Sequence, residues 1–238
     1  MAKWASAFGA SVALLALLAV VPYARSLSYS FISDDYIQIR LGRWLGSAEN
    51  WRDLAADPLY RCRATSLYLT SWTERLFGLE PAAYNASSLA LHFLNVLLVL
   101  ALARSLGLGR AAALAAAGFY AVYEGHQEAV IWYAALPELL VVGFSLASLL
   151  AWRRWCDRAS SAWGWYGLSL VLLVLALYSK ESGVVVVPLL GWMAWWRRAR
   201  PWRQIAAAMT PFALLAAVYA AAIFASREQH QFFSDGTF

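Results

Sequence analysis

Two adjacent carboxylates stand in Phe31-Ile32-Ser33-Asp34-Asp35-Tyr36, shortly after the first apolar stretch of the chain. A carboxylate at a membrane surface can take a proton from an attacking hydroxyl, and a pair can hold a divalent cation. A Ser-Asp-Asp run can also simply cap a helix. The pattern leaves all three open, so Asp34 and Asp35 are candidate catalytic residues. Asp35 is also a candidate metal ligand, and the order of the two residues slightly favours Asp34 as a base.

A second polar cluster occupies Tyr123-Glu124-Gly125-His126-Gln127-Glu128, a short segment between two apolar stretches. Ionisable groups at membrane depth usually face a cavity, whereas groups in a turn at the interface can be merely solvated. Both interpretations stay open, so His126 and Glu128 are candidate functional residues. Glu128 is a further candidate ligand for a divalent cation.

A third cluster, Tyr178-Ser179-Lys180-Glu181-Ser182, contains one of the two lysines of the chain. A lysine offers a compact positive charge to a phosphate group, although it could equally pair with Glu181 inside the turn. Arg61 and Arg63 could add the forked donors that suit phosphate. Lys180, Arg61 and Arg63 are therefore candidate phosphate ligands, and Glu181 is a candidate substrate ligand.

His92 and Asn95 lie three residues apart within an apolar stretch, and hence on one face of a helix. Hydrogen bonding between membrane helices is the favoured interpretation of such residues. Substrate binding by His92 is the alternative.

The composition indicates an integral membrane protein, because 62% of the residues are hydrophobic and only 14% are charged. Soluble domains carry about 25% charged residues. The net charge of +5 could indicate a nucleic-acid partner, but in membrane proteins basic residues report orientation, and we expect no nucleic acid. All but two of the 19 basic residues are arginines, which points to a GC-rich bacterial genome.

Seven apolar segments approach the length of roughly 20 residues that a membrane helix needs. They are 4–23, 82–103, 106–123, 132–152, 163–178, 183–196 and 205–225. The first could also be a cleaved signal peptide, but its length and the later spans favour retention. The sequence therefore predicts an all-α, polytopic bundle of about seven spans.

The distribution of charge predicts a cytoplasmic N-terminus. The segments that would then face the cytoplasm are arginine-rich, whereas the short outer segments contain one basic residue, Lys180. Of the 14 acidic residues, only Asp157 falls on the cytoplasmic side. The same topology places Cys62 and Cys156 on opposite faces, so they cannot pair. The three polar clusters would all face outward.

The first outer loop, 25–81, is predicted to contain short amphipathic helices that lie on the membrane. Leu69, Trp72 and Leu76 recur at helical spacing there. We treat 1–238 as a single transmembrane domain with an outer tail at 226–238. No internal repeat or linker divides it.

In order, these elements resemble the GT-C superfamily of membrane glycosyltransferases, in particular its protein O-mannosyltransferase-like and tetratricopeptide-bearing transmembrane mannosyltransferase branch. The resemblance covers 4–190 and combines several short motifs with the His92 and Asn95 positions. Those motifs are Asp34-Asp35, Tyr60-Arg61, Leu76-Phe77-Gly78-Leu79-Glu80-Pro81, Tyr84-Asn85, His126-x-Glu128-x-Val130-x-Trp132, Glu138-Leu139-Leu140, Ser179-Lys180-Glu181-Ser182-Gly183 and Pro188.

The resemblance implies a polyprenyl-phosphate sugar donor, and a protein, lipid or glycan acceptor reached from the non-cytoplasmic side. Asp34 or Asp35 would deprotonate the acceptor hydroxyl, and the sugar would transfer with inversion. Lys180, with Arg61 or Arg63, would neutralise the departing phosphate. His126 and Glu128 would bind sugar or acceptor or help to hold a divalent cation. The expected location is a bacterial inner membrane, among membrane lipids, with the site facing the periplasm.

The chain departs from the family pattern at several positions. Cys62 and Gln127 stand where the family often has proline, and Ala135-Leu136-Pro137 stands where an arginine usually precedes the acidic residue. Family members also continue for further spans, so we expect a fragment or truncated form carrying the N-terminal core. A transporter or flippase for a lipid phosphate is the rival, although no carboxylate lies clearly at mid-span, Glu138 being the nearest.

Overall fold

The computed structural model describes residues 2–45, 50, 63–157, 162–197 and 200–227. Within these ranges the chain is helical and has no β-strand, which confirms the all-α class. The α-helices are α1 (Ala2–Val20), α2 (Asp34–Leu45), α3 (Ala64–Phe77), α4 (Pro81–Ser105), α5 (Arg110–Val122), α6 (Gln127–Ile131), α7 (Leu136–Asp157), α8 (Trp163–Leu177), α9 (Val186–Arg197) and α10 (Trp202–Arg227). Short 3-10 helices occupy Val21–Ser28, Glu124–His126, Tyr133–Ala135 and Glu181–Val185. Arg61, Cys62 and most of the predicted outer tail lie outside the described residues.

Among the described residues, four apolar segments are long enough to cross a bilayer, which is consistent with an integral membrane protein. They are Gly9–Ser28, Pro81–Ser105, Tyr133–Asp157 and Trp202–Ala225. Helices α5 and α8 are apolar but shorter, and α9 has 12 residues. At about 1.5 Å per residue, α5 spans only about 20 Å of a hydrocarbon core of about 30 Å. Helix length alone therefore does not establish the predicted seven spans.

Local sequence explains the ends of the longest helices. Proline stands at the first turn of α4, where its missing N–H costs nothing. Gly107, which follows the end of α4, has a φ of +93°, a conformation that glycine adopts without a steric penalty. Gly78, after α3, has a φ of +63°. These two glycines allow α3 to turn into α4, and α4 into α5.

Helices α1, α4 and α5 pack together around small side chains. Ala113, Ala117 and Ala121 of α5 follow one another at intervals of four residues and are fully buried. Ala117 and Ala121 lie in one cluster with Leu15 of α1 and Val96 of α4. Small residues let membrane helices approach closely, so this alanine-rich face fixes the α4–α5 pair.

Helices α7, α8, α9 and α10 form a second group, whose core contains Trp152, Leu173, Leu190 and Phe212. Helix α4 packs against α7 and so joins the two groups. At their contact the Asn95 side-chain amide donates to the Leu139 carbonyl at 2.9 Å. This bond confirms the interhelical role predicted for Asn95.

The segment predicted as the first outer loop, 25–81, contains α2 and α3 within its described residues. The Gln38 amide donates to the Thr70 hydroxyl at 3.3 Å, and that hydroxyl lies 2.9 Å from the Tyr133 hydroxyl. Trp72 and Leu76 are exposed, as on an interfacial helix, whereas Leu69 packs inward. Helices α2 and α3, with segments 123–135 and 178–185, form one end of the bundle, called here the loop face.

Candidate functional site

The side chain of Asp35 is held in place by backbone hydrogen bonds. One carboxylate oxygen accepts the Ile32 N–H at 2.9 Å, and the other accepts the Ala134 N–H at 2.7 Å. Only 3% of the residue is exposed. Burial raises the pKa of this carboxyl above its usual range, with a smaller contribution from the Asp34 charge, although the two N–H donors oppose the shift. Asp35 therefore positions a turn, as in the capping interpretation.

Asp34 differs from its neighbour because its side chain is exposed. The Ser33 hydroxyl lies 3.3 Å from one of its carboxylate oxygens, and Ser33 itself has a φ of +44°. Such a conformation is uncommon for residues other than glycine. The sharp turn thus directs one aspartate inward and leaves the other accessible to a substrate.

A cavity of about 410 Å³ opens on the loop face beside this turn. It is lined by Tyr120, Gly125, His126, Glu128, Ala129, Trp132, Ala135, Glu138, Leu139 and Val142. The cavity therefore brings together two of the candidate substrate ligands, His126 and Glu128, and adds Glu138. It adjoins Asp35 through the backbone, because the Ala134 that binds Asp35 precedes the lining residue Ala135. The cavity has the size of a small-molecule site, and its lining combines apolar side chains with a few polar ones.

His126 lies among aromatic rings, with ring centroids 4.7 Å from Tyr120, 5.2 Å from His92 and 5.7 Å from Tyr123. Its Nε2 atom is buried and makes no hydrogen bond within the described part of the chain. Burial lowers the pKa of this imidazole below its usual value, and the Tyr120 backbone partly offsets the shift. The neutral ring can form a hydrogen bond with a molecule in the cavity.

His92 lies behind His126 and is fully buried. Its Nε2 atom is 3.1 Å from the Ala121 carbonyl, so the residue links α4 to α5 as the favoured interpretation predicts. His92 is not part of the cavity lining. It can influence a substrate only through the position of His126.

Lys180 forms an ion pair with Glu138, the acidic residue of the Glu138-Leu139-Leu140 motif. Glu181, the partner considered from sequence, is exposed beside it. The lysine side chain is 28% exposed and the glutamate side chain 42%. The sequence indicated Glu138 as part of a family motif and as the carboxylate nearest to mid-span, but indicated no partner for it. The pairing depends on contact between residues 42 positions apart, which periodicity does not reveal.

The N-terminal end of α3 also reaches the Lys180 turn. The Thr65 N–H donates to the Tyr178 carbonyl at 3.2 Å, and the Thr65 and Ser179 hydroxyls lie 2.7 Å apart. Arg63, exposed at the start of α3, is thereby carried to the neighbourhood of Lys180. Gly183 completes the turn, since a Cβ there would lie 2.8 Å from the Ala176 carbonyl.

The described residues contain no cluster of side chains that would support a metal site. No group of three or more His, Cys, Asp or Glu side chains comes together there in a way that could hold an ion. Both oxygens of Asp35, one of the two candidate ligands, accept backbone N–H groups. In the described residues the geometry of Asp35 therefore favours hydrogen bonding to the backbone over metal binding.

Comparison with known proteins gives one similarity that bears on function. The chain is 31% identical over 114 residues to "Protein O-mannosyl-transferase Tmtc1" of Drosophila melanogaster. The match covers 48% of this chain and 13% of that protein. No family model matches the chain, and no solved structure matches it. The similarity is consistent with a glycosyltransferase role.

Proposed function

We propose that this protein is a membrane glycosyltransferase that moves a sugar from a polyprenyl phosphate to a hydroxyl of a protein, lipid or glycan acceptor. The main support is that three clusters far apart in sequence meet on one face. Asp35 binds Ala134, Thr65 binds Tyr178, and Lys180 pairs with Glu138. Transfer from a lipid phosphate needs a base and a cation on the same side of the bilayer, and this convergence supplies both.

Asp34 is the general base in this proposal. Its exposed carboxylate accepts the proton of the acceptor hydroxyl as the oxygen attacks the anomeric carbon. The bond between that carbon and the phosphate oxygen breaks, and the configuration inverts. Asp35 contributes by holding the turn that carries Asp34.

The departing polyprenyl phosphate is neutralised by Lys180, together with Arg63 and Arg61. Stabilising negative charge as it develops on a leaving oxygen is a large source of catalysis. His126 and Glu128 bind the sugar hydroxyls in the cavity, and His92 supports the His126 ring from behind. Glu181, exposed beside Lys180, contacts the acceptor.

The proposed topology has seven spans, a cytoplasmic N-terminus and a loop face in the periplasm of a bacterial inner membrane. Helices occupy each of the seven predicted positions, although three are short. The alternation of arginine-rich and arginine-poor segments supports this arrangement.

A lipid-phosphate transporter or flippase is the second candidate. An apolar groove of about 270 Å³ between α8 and α10 begins beside Tyr178, two residues from Lys180. A lipid chain in this groove would place its phosphate near the lysine whether or not a sugar is transferred. The rival therefore differs from the transferase only in the chemistry that follows binding.

The test is sugar transfer or release from a radiolabelled polyprenyl-phosphate hexose by the purified protein in lipid, with and without chelator. The Asp34→Asn/Asp35→Asn double variant is the comparison, and membrane insertion of both proteins is checked in parallel. Turnover that disappears in an inserted double variant supports the proposal. Equal turnover by both proteins removes the catalytic role of the aspartates, and binding without turnover favours the transporter.

A further inference from the structure

The Lys180–Glu138 ion pair occupies the place where the proposed function, on which this inference rests, requires a free cation. Lys180 comes from the 178–185 turn, whereas Glu138 stands in the first turn of α7 and lines the cavity. Both side chains are partly exposed, so solvent or a ligand can reach the pair. In the free protein, the anion that binds Lys180 is thus the Glu138 carboxylate.

We infer that Glu138 is a positioning residue that holds Lys180 until a lipid phosphate displaces it, and that recaptures the lysine as the product phosphate leaves. The carboxylate and the phosphate are both anions that bind an ammonium group by charge-assisted hydrogen bonds. They compete for one cation. In the free protein Glu138 keeps Lys180 beside the cavity, and in the product complex it favours release.

The surroundings explain why the exchange is feasible. Partly exposed ion pairs contribute little net stability, so a phosphate carrying a larger charge can replace the glutamate. The turn that carries Lys180 is fixed by the Thr65 contacts to Tyr178 and Ser179, and does not depend on the ion pair. After exchange the Glu138 side chain still lines the cavity, where Glu128 and His126 are its polar neighbours.

The experiment measures binding of a radiolabelled polyprenyl phosphate without sugar to the full chain in phosphatidylcholine nanodiscs. Glu138→Gln preserves size and removes the competing charge, so we expect Kd to fall roughly three- to tenfold. Lys180→Met should raise Kd at least tenfold. In the Lys180→Met background, Glu138→Gln should not change Kd further. Without the ammonium group, the carboxylate and the phosphate no longer compete for a common cation.

Glu124→Gln is the matched control, since Glu124 is an exposed carboxylate of the loop face that neither lines this cavity nor pairs with Lys180 in the described structure. It should leave Kd unchanged, which separates loss of the competitor from a general reduction of negative charge. Turnover adds a second readout: inhibition by the product lipid should become stronger in Glu138→Gln, because release slows.

The outcomes distinguish two failures. In one case the wild-type protein binds the lipid and Glu138→Gln leaves Kd unchanged or raises it. The proposed displacement of Glu138 by phosphate is then wrong, whereas the polyprenyl-phosphate donor remains supported. If neither the wild type nor Glu138→Gln binds the lipid, the proposed donor is wrong and the exchange falls with it. A lower melting temperature together with weaker binding in Glu138→Gln would show that the pair is only structural.

Discussion

The Asp35 carboxylate accepts a hydrogen bond from the backbone N–H of Ala134, 99 residues further along the chain. This bond joins the first turn of α2 to the wall of the cavity. With the Ile32 N–H it occupies both carboxylate oxygens. Two adjacent aspartates consequently have different structural environments, although they share a charge and differ by one position.

Single substitutions should therefore separate the two residues. Asp34→Asn should reduce transfer by about 10²–10⁴-fold, the usual contribution of a general base, with little change in melting temperature. Asp35→Asn should destabilise the protein by about 1–3 kcal/mol, because an amide presents an NH₂ group to one of the two N–H donors. Transfer rates and thermal unfolding in detergent measure both effects.

The comparison has a clear contrary outcome. Loss of transfer in Asp35→Asn at unchanged melting temperature, with activity retained in Asp34→Asn, would reverse the assignment of the base. Asp35→Glu serves as a control for the positioning role, since it keeps the charge but moves the carboxylate away from Ala134. It should unfold at a lower temperature than the wild type.

The pH dependence of stability should report the environment of His126. Burial lowers the pKa of His126 in the folded protein below the usual value of 6.5, so the fold favours the neutral ring. The corresponding stability is present above pH 6.5 and is lost as pH falls through the lower, folded-state pKa. The wild type should therefore lose melting temperature relative to His126→Gln between pH 7.5 and pH 5.

His126→Gln removes the titration and keeps a polar side chain in the cavity, so the difference between the two curves isolates this residue. The His92 imidazole is present in both proteins and contributes to each curve. The difference in melting temperature between the two proteins could stay constant over this pH range or change in favour of the wild type at low pH. Either result would show that burial does not lower the pKa of His126.

The sequence predicted the elements of the fold better than the environment of each charge. Apolar segments and positive charges depend on local composition, and helices lie near all seven predicted positions. The hydrogen bonds of Asn95 and His92 were also expected, because polar residues inside a membrane helix need a partner. These properties are visible within one helix.

The inequivalence of Asp34 and Asp35 was not predictable, because it depends on the Ala134 N–H of a distant 3-10 helix. The partner of Lys180 was uncertain for the same reason: Glu181 is adjacent in sequence, but Glu138 is adjacent in space. The Lys180 contact follows from how α7 and α8 pack, and the Asp35 contact from how α2 packs against Tyr133–Ala135. Single-sequence periodicity carries no information about that packing.

The close contact between α4 and α7 should be sensitive to one methyl group. A Cβ at Gly143 would lie 2.7 Å from the side-chain oxygen of Asn95, which is fully buried and tied to Leu139. Gly143→Ala should therefore cost about 1–3 kcal/mol of stability, as overpacking usually does. Thermal unfolding of the purified protein measures the loss.

Gly167→Ala is the matched control, because a Cβ at that position in α8 meets no atom within 4 Å. Alanine there should be neutral or stabilising by up to about 1 kcal/mol. Adding Asn95→Ala to Gly143→Ala should make the two losses less than additive, since the clash requires both side chains. Fully additive losses would place the cost of Gly143→Ala elsewhere.

The shortness of α5 makes it the decisive helix for the topology. Leu108 lies just before α5 and Glu124 just after it, and both are exposed. In a Cys62→Ala/Cys156→Ala background, a membrane-impermeant maleimide should label Glu124→Cys in intact cells, and should label Leu108→Cys only after permeabilisation. The 13 residues of α5 cover about 20 Å, so crossing requires the flanking residues or a locally thin bilayer to cover the difference.

Labelling of both positions from one side would mean that α5 does not cross and that the seven-span topology is wrong. Labelling of Leu108→Cys alone in intact cells would mean that the orientation is opposite to the predicted one and that the candidate site faces the cytoplasm.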